Sequence, residues 1–376
     1  MKIKKTKINL ILFYLVILIQ SLTIEYENAG AISNLKYIIC IIGILYSYHL
    51  MKDSKSKARV MKTEMYRILS VPLLFLLVSL IKIFSTNIFS HRIVNELFFM
   101  ILPVIYAYGL LNTLSRKQID DAILGTLVIS FMCYIISLNL SPHDFWVALS
   151  SMDYRNSVSK LESSGFAGVS ISLALYYLYY RKNKFAMILS ILFVIFTFKR
   201  LAILTVLFLI FSPLFIDFNK PTRNKTYKIV SIFIFIISVM YYKLMLPENA
   251  DIVIKYFGYG FDKFTMSRYW RFSLLVNDYQ FINYGLGSTY DFLMSKYNFA
   301  LEMDICKLII EVGYFALFFF IYQYFYIVRK NRYCIIVMIF LFLNMITSHS
   351  LTSMFTWIIV YLTIGRIQFM NPDKVS

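Results

Sequence analysis

The stretch "FAMILSILFVIFTFKRLAILTVLFLIFSPLFIDF", Phe185–Phe218, is almost wholly apolar and carries no charge except Lys199–Arg200 near its middle and Asp217 near its end. No Gly, Pro, Asn or Asp flanks the two cations, so no ordinary turn signal marks the place. As one helix, Phe185 to Asp217 would be roughly 50 Å long, against a hydrocarbon core of about 30 Å. A single span would also carry the basic segment "NKPTRNKTYK" across the membrane, against the charge rule. The stretch therefore reads as two spans forming a hairpin, turning at Lys199–Arg200.

Similar apolar runs recur from end to end. Hydrophobic residues make up 59% of the chain and charged residues 15%, far from a soluble composition. Short alternating segments of the β-barrel kind are absent. The expected fold is all-α, a polytopic membrane helix bundle of about twelve transmembrane spans. They fall near 8–24, 35–51, 68–85, 95–114, 121–140, 163–180, 185–198, 201–217, 229–246, 305–328, 334–348 and 354–369. These runs leave no room for a soluble module, so 1–376 reads as a single integral membrane domain. Ile8–Ile24 is long for a signal peptide, and Glu25 and Glu27 precede the small residues Ala29–Gly30–Ala31. It reads as an uncleaved first span.

The connections fall into two alternating sets. One is basic: "KIKKTK", "KDSKSKARVMKTEMYR", "SRKQ", "RKNK", "NKPTRNKTYK" and "RKNR". Placing it in the cytoplasm puts both termini there. The whole net charge of +18 then lies on the cytoplasmic side, with charges balanced on the other. The basicity is a topology signal and calls for no nucleic-acid partner. The outer set includes one long loop, 247–304, just before the tenth span. No internal duplication is visible, which disfavours repeat-built transporters. The four cysteines form no CxxC pair, and the four histidines are far apart with no HExxH pattern. No disulfide, metal or cofactor is expected.

Several outer residues are candidates for chemistry. The first arm of the hairpin is about 21 Å of helix, short enough to leave Lys199 and Arg200 at the bottom of an outward recess. The alternative is that both snorkel to headgroups. In "SRYWRF", Arg268 and Arg271 are spaced to share a helix face and to hold a diphosphate through bidentate hydrogen bonds. An interfacial helix anchored by Tyr269 and Trp270 explains the same residues equally well. "NYGLGS", Asn283–Ser288, is a glycine turn in which Gly285 and Gly287 let backbone approach a ligand. Ahead of and within the tenth span lie Glu302, Asp304 and Glu311. Asp304 and Glu311 share a face and Glu302 lies mostly off it. Glu311 reads either as a cavity-facing acid or as the partner of Lys307, four residues before it.

These motifs, in this order, resemble the Wzy family of oligosaccharide repeat-unit polymerases, in the O-antigen ligase/polymerase superfamily. The similar features are the basic residue between two spans in "TFKRLAIL", the Arg of "SRYW", and the "NPxxGxG"-like turn "NYGLGS". To these are added the "HNDxLxxLxExG"-like "EMDICKLIIEVG" and the segment "LESSGFAGVSISLALYYLYYRKNK". The resemblance implies polymerisation of undecaprenyl-diphosphate-linked oligosaccharide repeat units into O-antigen or capsular polysaccharide. The enzyme would be a metal-independent glycosyltransferase at the outer face of the bacterial cytoplasmic membrane, releasing the lipid diphosphate. Donor and acceptor would both be lipid-linked oligosaccharides. Membrane lipid, a flippase and a chain-length regulator protein are the implied partners. Carried over by position, Arg200 and Arg268 would stabilise the departing diphosphate. Lys199, Arg271, Trp270, Gly285, Gly287 and Glu311 would contact diphosphate or glycan. Glu302 stands where the ligase pattern has its His and Asp304 matches its Asp, which lowers the ligase reading and leaves Glu302 and Asp304 as candidates for the base. A lipid-linked oligosaccharide flippase is the non-enzyme alternative. It too has an interior cationic site, but needs no long outer loop.

Cysteine labelling from outside intact cells checks this topology. A probe within 247–300 is expected to react and one within "KDSKSKAR" to be spared; the reverse pattern inverts the assignment.

Overall fold

The structure is a computed structural model and describes residues 5–24, 30–53, 59–150, 161–218, 222–258, 262 and 265–370. The described residues form sixteen α-helices and two 3-10 turns, with no strand. Seven helices are long and apolar enough to cross a membrane. They are α1 (Lys5–Thr23), α2 (Gly30–Asp53), α3 (Lys62–Thr86), α4 (His91–Thr113), α5 (Arg116–Leu138), α10 (Thr226–Leu244) and α14 (Asp304–Ile327). By length and composition this is a multi-pass membrane protein. The other apolar segments also fold as helices, but of only 12 to 17 residues: α7 (Ser164–Tyr180), α8 (Lys184–Phe196), α9 (Arg200–Phe211), α15 (Arg332–Thr347) and α16 (Met354–Phe369). Four short helices complete the set: α6 (Pro142–Ser150), α11 (Ala250–Phe257), α12 (Arg268–Asn277) and α13 (Ser288–Tyr297).

Several boundaries lie a few residues from the sequence reading, and two of them have a clear local reason. Helix α5 starts inside the connection "SRKQ", because Ser115 and Gln118 form a reciprocal capping box. Helix α9 stops at Phe211 and passes into a 3-10 turn at Ser212–Leu214, since Pro213 cannot continue the hydrogen-bond ladder.

The chain divides into two compact units. The first takes in α1, α2, the second half of α4, α5 to α9, and α16. Its polar contacts join helices that hydrophobicity alone would leave free to slide. The Asn9 amide donates to Ser47 Oγ and Thr113 Oγ1, each at 2.7 Å. Asp120 accepts from Arg366 at 2.8 and 3.1 Å and also from the Tyr176 hydroxyl. Small residues permit close approach, as where Gly109 faces Ser47 and leaves no room for a methyl group. The expected break between two helices is present. Helix α8 ends at Phe196, Phe198 takes a left-handed φ of 53°, and Arg200 opens α9. The Tyr134 hydroxyl lies 2.9 Å from the carbonyls of both Leu161 and Phe196, near the end of α8.

The second unit takes in α3, the first half of α4, and α10 to α15. Helix α3 shows how its faces are divided. Leu73, Leu77, Ile81 and Phe84 form an exposed apolar stripe suited to lipid, while Ile68, Val71, Phe75 and Ser79 are buried. Segment 247–304 does not hang free. Phe272, Leu275, Leu293, Leu301 and Met303 pack with Met245 and Cys306 as a small apolar core. Helices α11, α12 and α13 fall within this segment, and part of "KYFGYGFDKF" lies outside the described residues.

Helix α14 is broken. Gly313 has φ 84° and ψ 172°, outside helical space, so the apolar run is two helical pieces in series. On the first piece Lys307 is 2% exposed and donates to the fully buried Glu96 of α4 at 2.7 Å. Arg92 also donates to that carboxylate, at 3.1 Å. A buried ammonium is tolerable only when so paired.

Removing one partner alone strands a charge. Glu96→Ala is expected to destabilise the protein by about 3–5 kcal/mol, read as a fall in detergent-phase melting temperature. The double change Glu96→Leu with Lys307→Met is expected to recover most of the loss. Equal melting of wild type and Glu96→Ala would show that the pair contributes nothing.

Candidate functional site

Arg268 and Arg271 open α12, and their helical spacing turns both guanidiniums the same way. The chain reaches this helix through two consecutive left-handed residues, Met266 (φ 53°) and Ser267 (φ 64°), a strained approach for non-glycine residues. Asp262 then accepts the Trp270 backbone N–H at 2.8 Å, holding the first turn. Both arginines converge on one carboxylate: Glu302 accepts from Arg268 at 3.3 Å and from Arg271 at 3.2 Å. The Arg268 Nε–H is buried and has no hydrogen-bond partner among the described residues. Two guanidiniums that grip a carboxylate in this way present the donor array that also suits phosphate oxygens. Glu302 serves here as the counter-ion of the pair. Trp270 stands at the edge of the cluster, about half exposed, with its ring 5.5 Å from that of Phe299.

Two residues after Glu302, Asp304 is fully buried and starts α14. One of its oxygens meets His349 Nδ1 at 2.7 Å; the other accepts the N–H groups of Ser350 and Leu351, each at 2.6 Å. The loop between α15 and α16 is thereby pinned to the start of α14. The second ring nitrogen of His349, Nε2, lies 3.0 Å from Thr352 Oγ1. Buried carboxylate, imidazole and hydroxyl thus stand in line, and the His349 side chain keeps about a quarter of its surface exposed. A carboxylate bonded to Nδ1 fixes the neutral tautomer with its proton there and leaves Nε2 as the acceptor.

The sequence reading missed His349. It is 45 residues from Asp304, and only the break of α15 into the next loop brings them together. The usable signal was the position of "HSLTSM" between two spans on the same expected side as 247–304.

Asp304 and Glu311 do share a face of α14, and both are fully buried. Glu311 is not hydrogen-bonded to Lys307, which reaches Glu96 instead. Glu311 accepts from the Thr289 N–H at 3.0 Å and its hydroxyl at 2.7 Å, so the carboxylate caps the start of α13. The glycine turn before α13 approaches the protein itself. A side chain at Gly285 (φ 106°) would collide with Ser79, and one at Gly287 (φ 89°) with Arg92. Ser79 Oγ accepts the Leu286 N–H at 3.0 Å. The freed carbonyls at the Gly313 break are also served: Lys82 donates to Glu311 O at 2.8 Å, and the Asn283 amide donates to Ile310 O.

Arg200 and Lys199 belong to the first unit. Arg200 is half-buried, and its Nη2 has no hydrogen-bond partner among the described residues. Arg268, Arg271, Trp270, Glu302, Asp304, Glu311, Gly285 and Gly287 belong to the second. Comparison with protein-family models, with curated proteins and with solved structures finds no match to this chain. Among the described residues no group of three His, Cys, Asp or Glu is arranged to hold a metal ion.

Burial opposes the charged form of His349, but the Asp304 carboxylate outweighs it and raises the ring's pKa above the ordinary histidine value. Lys307 of α14 opposes that rise and Glu96 of α4 supports it. A raised folded-state pKa adds stability that is complete below the unfolded value, about 6.5, and is lost as pH rises through the folded one. NMR titration of the His349 ring is expected to show a midpoint above the ordinary value, falling in Asp304→Asn. A midpoint that does not move in that variant would mean the two groups do not interact.

Proposed function

We propose that this protein is a glycosyltransferase that polymerises lipid-diphosphate-linked oligosaccharide repeat units at the outer face of a bacterial cytoplasmic membrane. The observation that carries the reading is the adjacency of an arginine pair to an Asp–His dyad, joined through Glu302–Met303–Asp304 and spanning about 7 Å of chain at most. The resemblance to Wzy polymerases and the basic-connection pattern support it. Twelve crossings with both termini in the cytoplasm, five of them through the shorter helices, is the topology that goes with it. Undecaprenyl diphosphate is the carrier this family uses, and the product is an O-antigen or capsular polysaccharide.

In this mechanism Arg268 and Arg271 hold the donor's diphosphate, which displaces Glu302. The acceptor sugar's hydroxyl takes the place of Thr352 at His349 Nε2. Its oxygen bonds to the donor's anomeric carbon as the bond from that carbon to the diphosphate oxygen breaks. The electron pair leaves with the lipid diphosphate, and the hydroxyl proton passes to Nε2. Asp304 positions the ring and stabilises the imidazolium that forms. The resemblance alone brings Arg200, with Lys199, into this reading, as further cations for the diphosphate.

A second reading has its own observation. The break at Gly313, with Lys307, Glu96 and Glu311 buried beside it, resembles the interrupted helices that transporters use at their binding sites. A flippase would move a fluorescent lipid-diphosphate sugar across vesicles with no acceptor present.

Chain extension by the purified protein, followed by glycan length, tests the proposal. Arg268→Ala and Arg271→Ala are each expected to lower the rate about 10²–10³-fold, and Arg200→Ala comparably. His349→Ala is expected to abolish extension, while Glu302→Gln retains it. Because His349 must be neutral to accept the proton, the rate is expected to rise with pH through its pKa, and Asp304→Asn to move that limb to lower pH. Long chains from both the His349 and the Arg268 variants would overturn the proposal.

A further inference from the structure

Helix α12 carries more than the arginine pair. Its far end, at Asn277, lies about 14 Å along the axis from Arg268. There a pocket of about 320 Å³ opens among Asn277, Asp278, Tyr279, Gln280, Lys296 and Tyr297. Its charges are already matched. The Lys296 ammonium donates to Asp278 and, at 2.9 Å, to Gln280 Oε1. Asp278 also accepts the Gln280 N–H at 2.9 Å and the Tyr297 hydroxyl at 3.4 Å. Hydrogen bonds from Lys296 and the Gln280 backbone accordingly hold Asp278 below the usual carboxylate range. What the lining offers a ligand is amide groups, hydroxyls and the ring of Tyr279, which is 92% exposed.

The pocket is joined to the arginines by aromatic rings. The Arg271 guanidinium lies 5.1 Å from the centre of Phe299. Phe299 stacks on Tyr297 at 5.7 Å with 19° between the rings, and Tyr297 forms a wall of the pocket.

We propose that this pocket is a glycan subsite, seating an uncharged sugar of the lipid-linked oligosaccharide one or more residues beyond its diphosphate. The inference rests on the glycosyl-transfer reading. An anion finds no uncompensated cation in the lining, and a cation finds no uncompensated carboxylate. A sugar pairs its hydroxyls with amides and carboxylate and lays its apolar face on an aromatic ring. The aromatic strip between the two ends gives an extended oligosaccharide a continuous bed, with its phosphates on Arg268 and Arg271.

The test uses full-length purified protein and the reducing oligosaccharide repeat freed of lipid and phosphate by mild acid. Binding is read by saturation-transfer NMR. Wild type is expected to bind saturably and to keep the oligosaccharide when inorganic diphosphate is added. Tyr279→Ala and Gln280→Ala are each expected to weaken binding about fivefold, the loss of one ring face or amide. No saturable binding by wild type, or binding by both variants as tight as that of wild type, overturns the subsite. If extension continues in that case, the transfer reading stands without it. If the oligosaccharide binds as predicted and no extension is ever seen, the subsite stands and the transfer reading falls. The exposed ring also suits a headgroup anchor. Fluorescence of Tyr279→Trp that is quenched by brominated lipid and unmoved by oligosaccharide assigns it that role and overturns the proposal.

Discussion

The ammonium of Lys307 has almost no contact with solvent, and the second unit is organised around that fact. A charge so placed needs an anion within hydrogen-bond reach, and Glu96 supplies it from another helix. The same half-helix carries Asp304 three residues earlier and Glu311 four residues later, both fully buried on the same side. Each is tied to a different piece of chain. Asp304 holds the loop at 349–351, Lys307 holds α4, and Glu311 holds the start of α13. One helical face thus fixes three elements that apolar packing in a lipid environment would orient only weakly.

The break at Gly313 belongs to the same arrangement. Ending the first half-helix there frees carbonyls that must be paired, and Lys82 and Asn283 pair them. Lys82, half-buried, lies on the same face of α3 as the buried stripe, and Asn283 begins the glycine turn whose other residues press on Ser79 and Arg92. The turn, the break and the buried charges are therefore interdependent. The consequence for function is positional: His349 is held at the start of α14, and Glu302, two residues before Asp304, keeps the arginine pair nearby.

How much of this was legible in the sequence depended on the range of the interaction. Apolar run length located the seven helices long enough to cross a membrane, and the excess length of Phe185–Asp217 revealed a break between two helices with no turn residue to mark it. The spacing of Arg268 and Arg271 gave their common face because it is set within one helical turn. Pairings across the fold were not readable. Lys307 looked equally able to meet Glu311, four residues away, and the choice of Glu96 is made by packing 211 residues distant. Nothing in "IIEVGYF" separates a continuous span from a broken one, since Gly is tolerated within membrane helices. "NYGLGS" was recognisable as a turn, but its need for glycine comes from neighbours on α3 and α4.

The central claim is that the arginine pair of α12 and the Asp304–His349 dyad form one substrate site. Photolabelling tests it most directly, using a lipid-diphosphate sugar that carries a diazirine next to its anomeric carbon. Irradiation followed by peptide mapping is expected to place adducts both in the peptide bearing Arg268–Arg271 and in the peptide bearing His349–Thr352. Label confined to one of these peptides, or absent from both while the lipid is bound, would contradict the account.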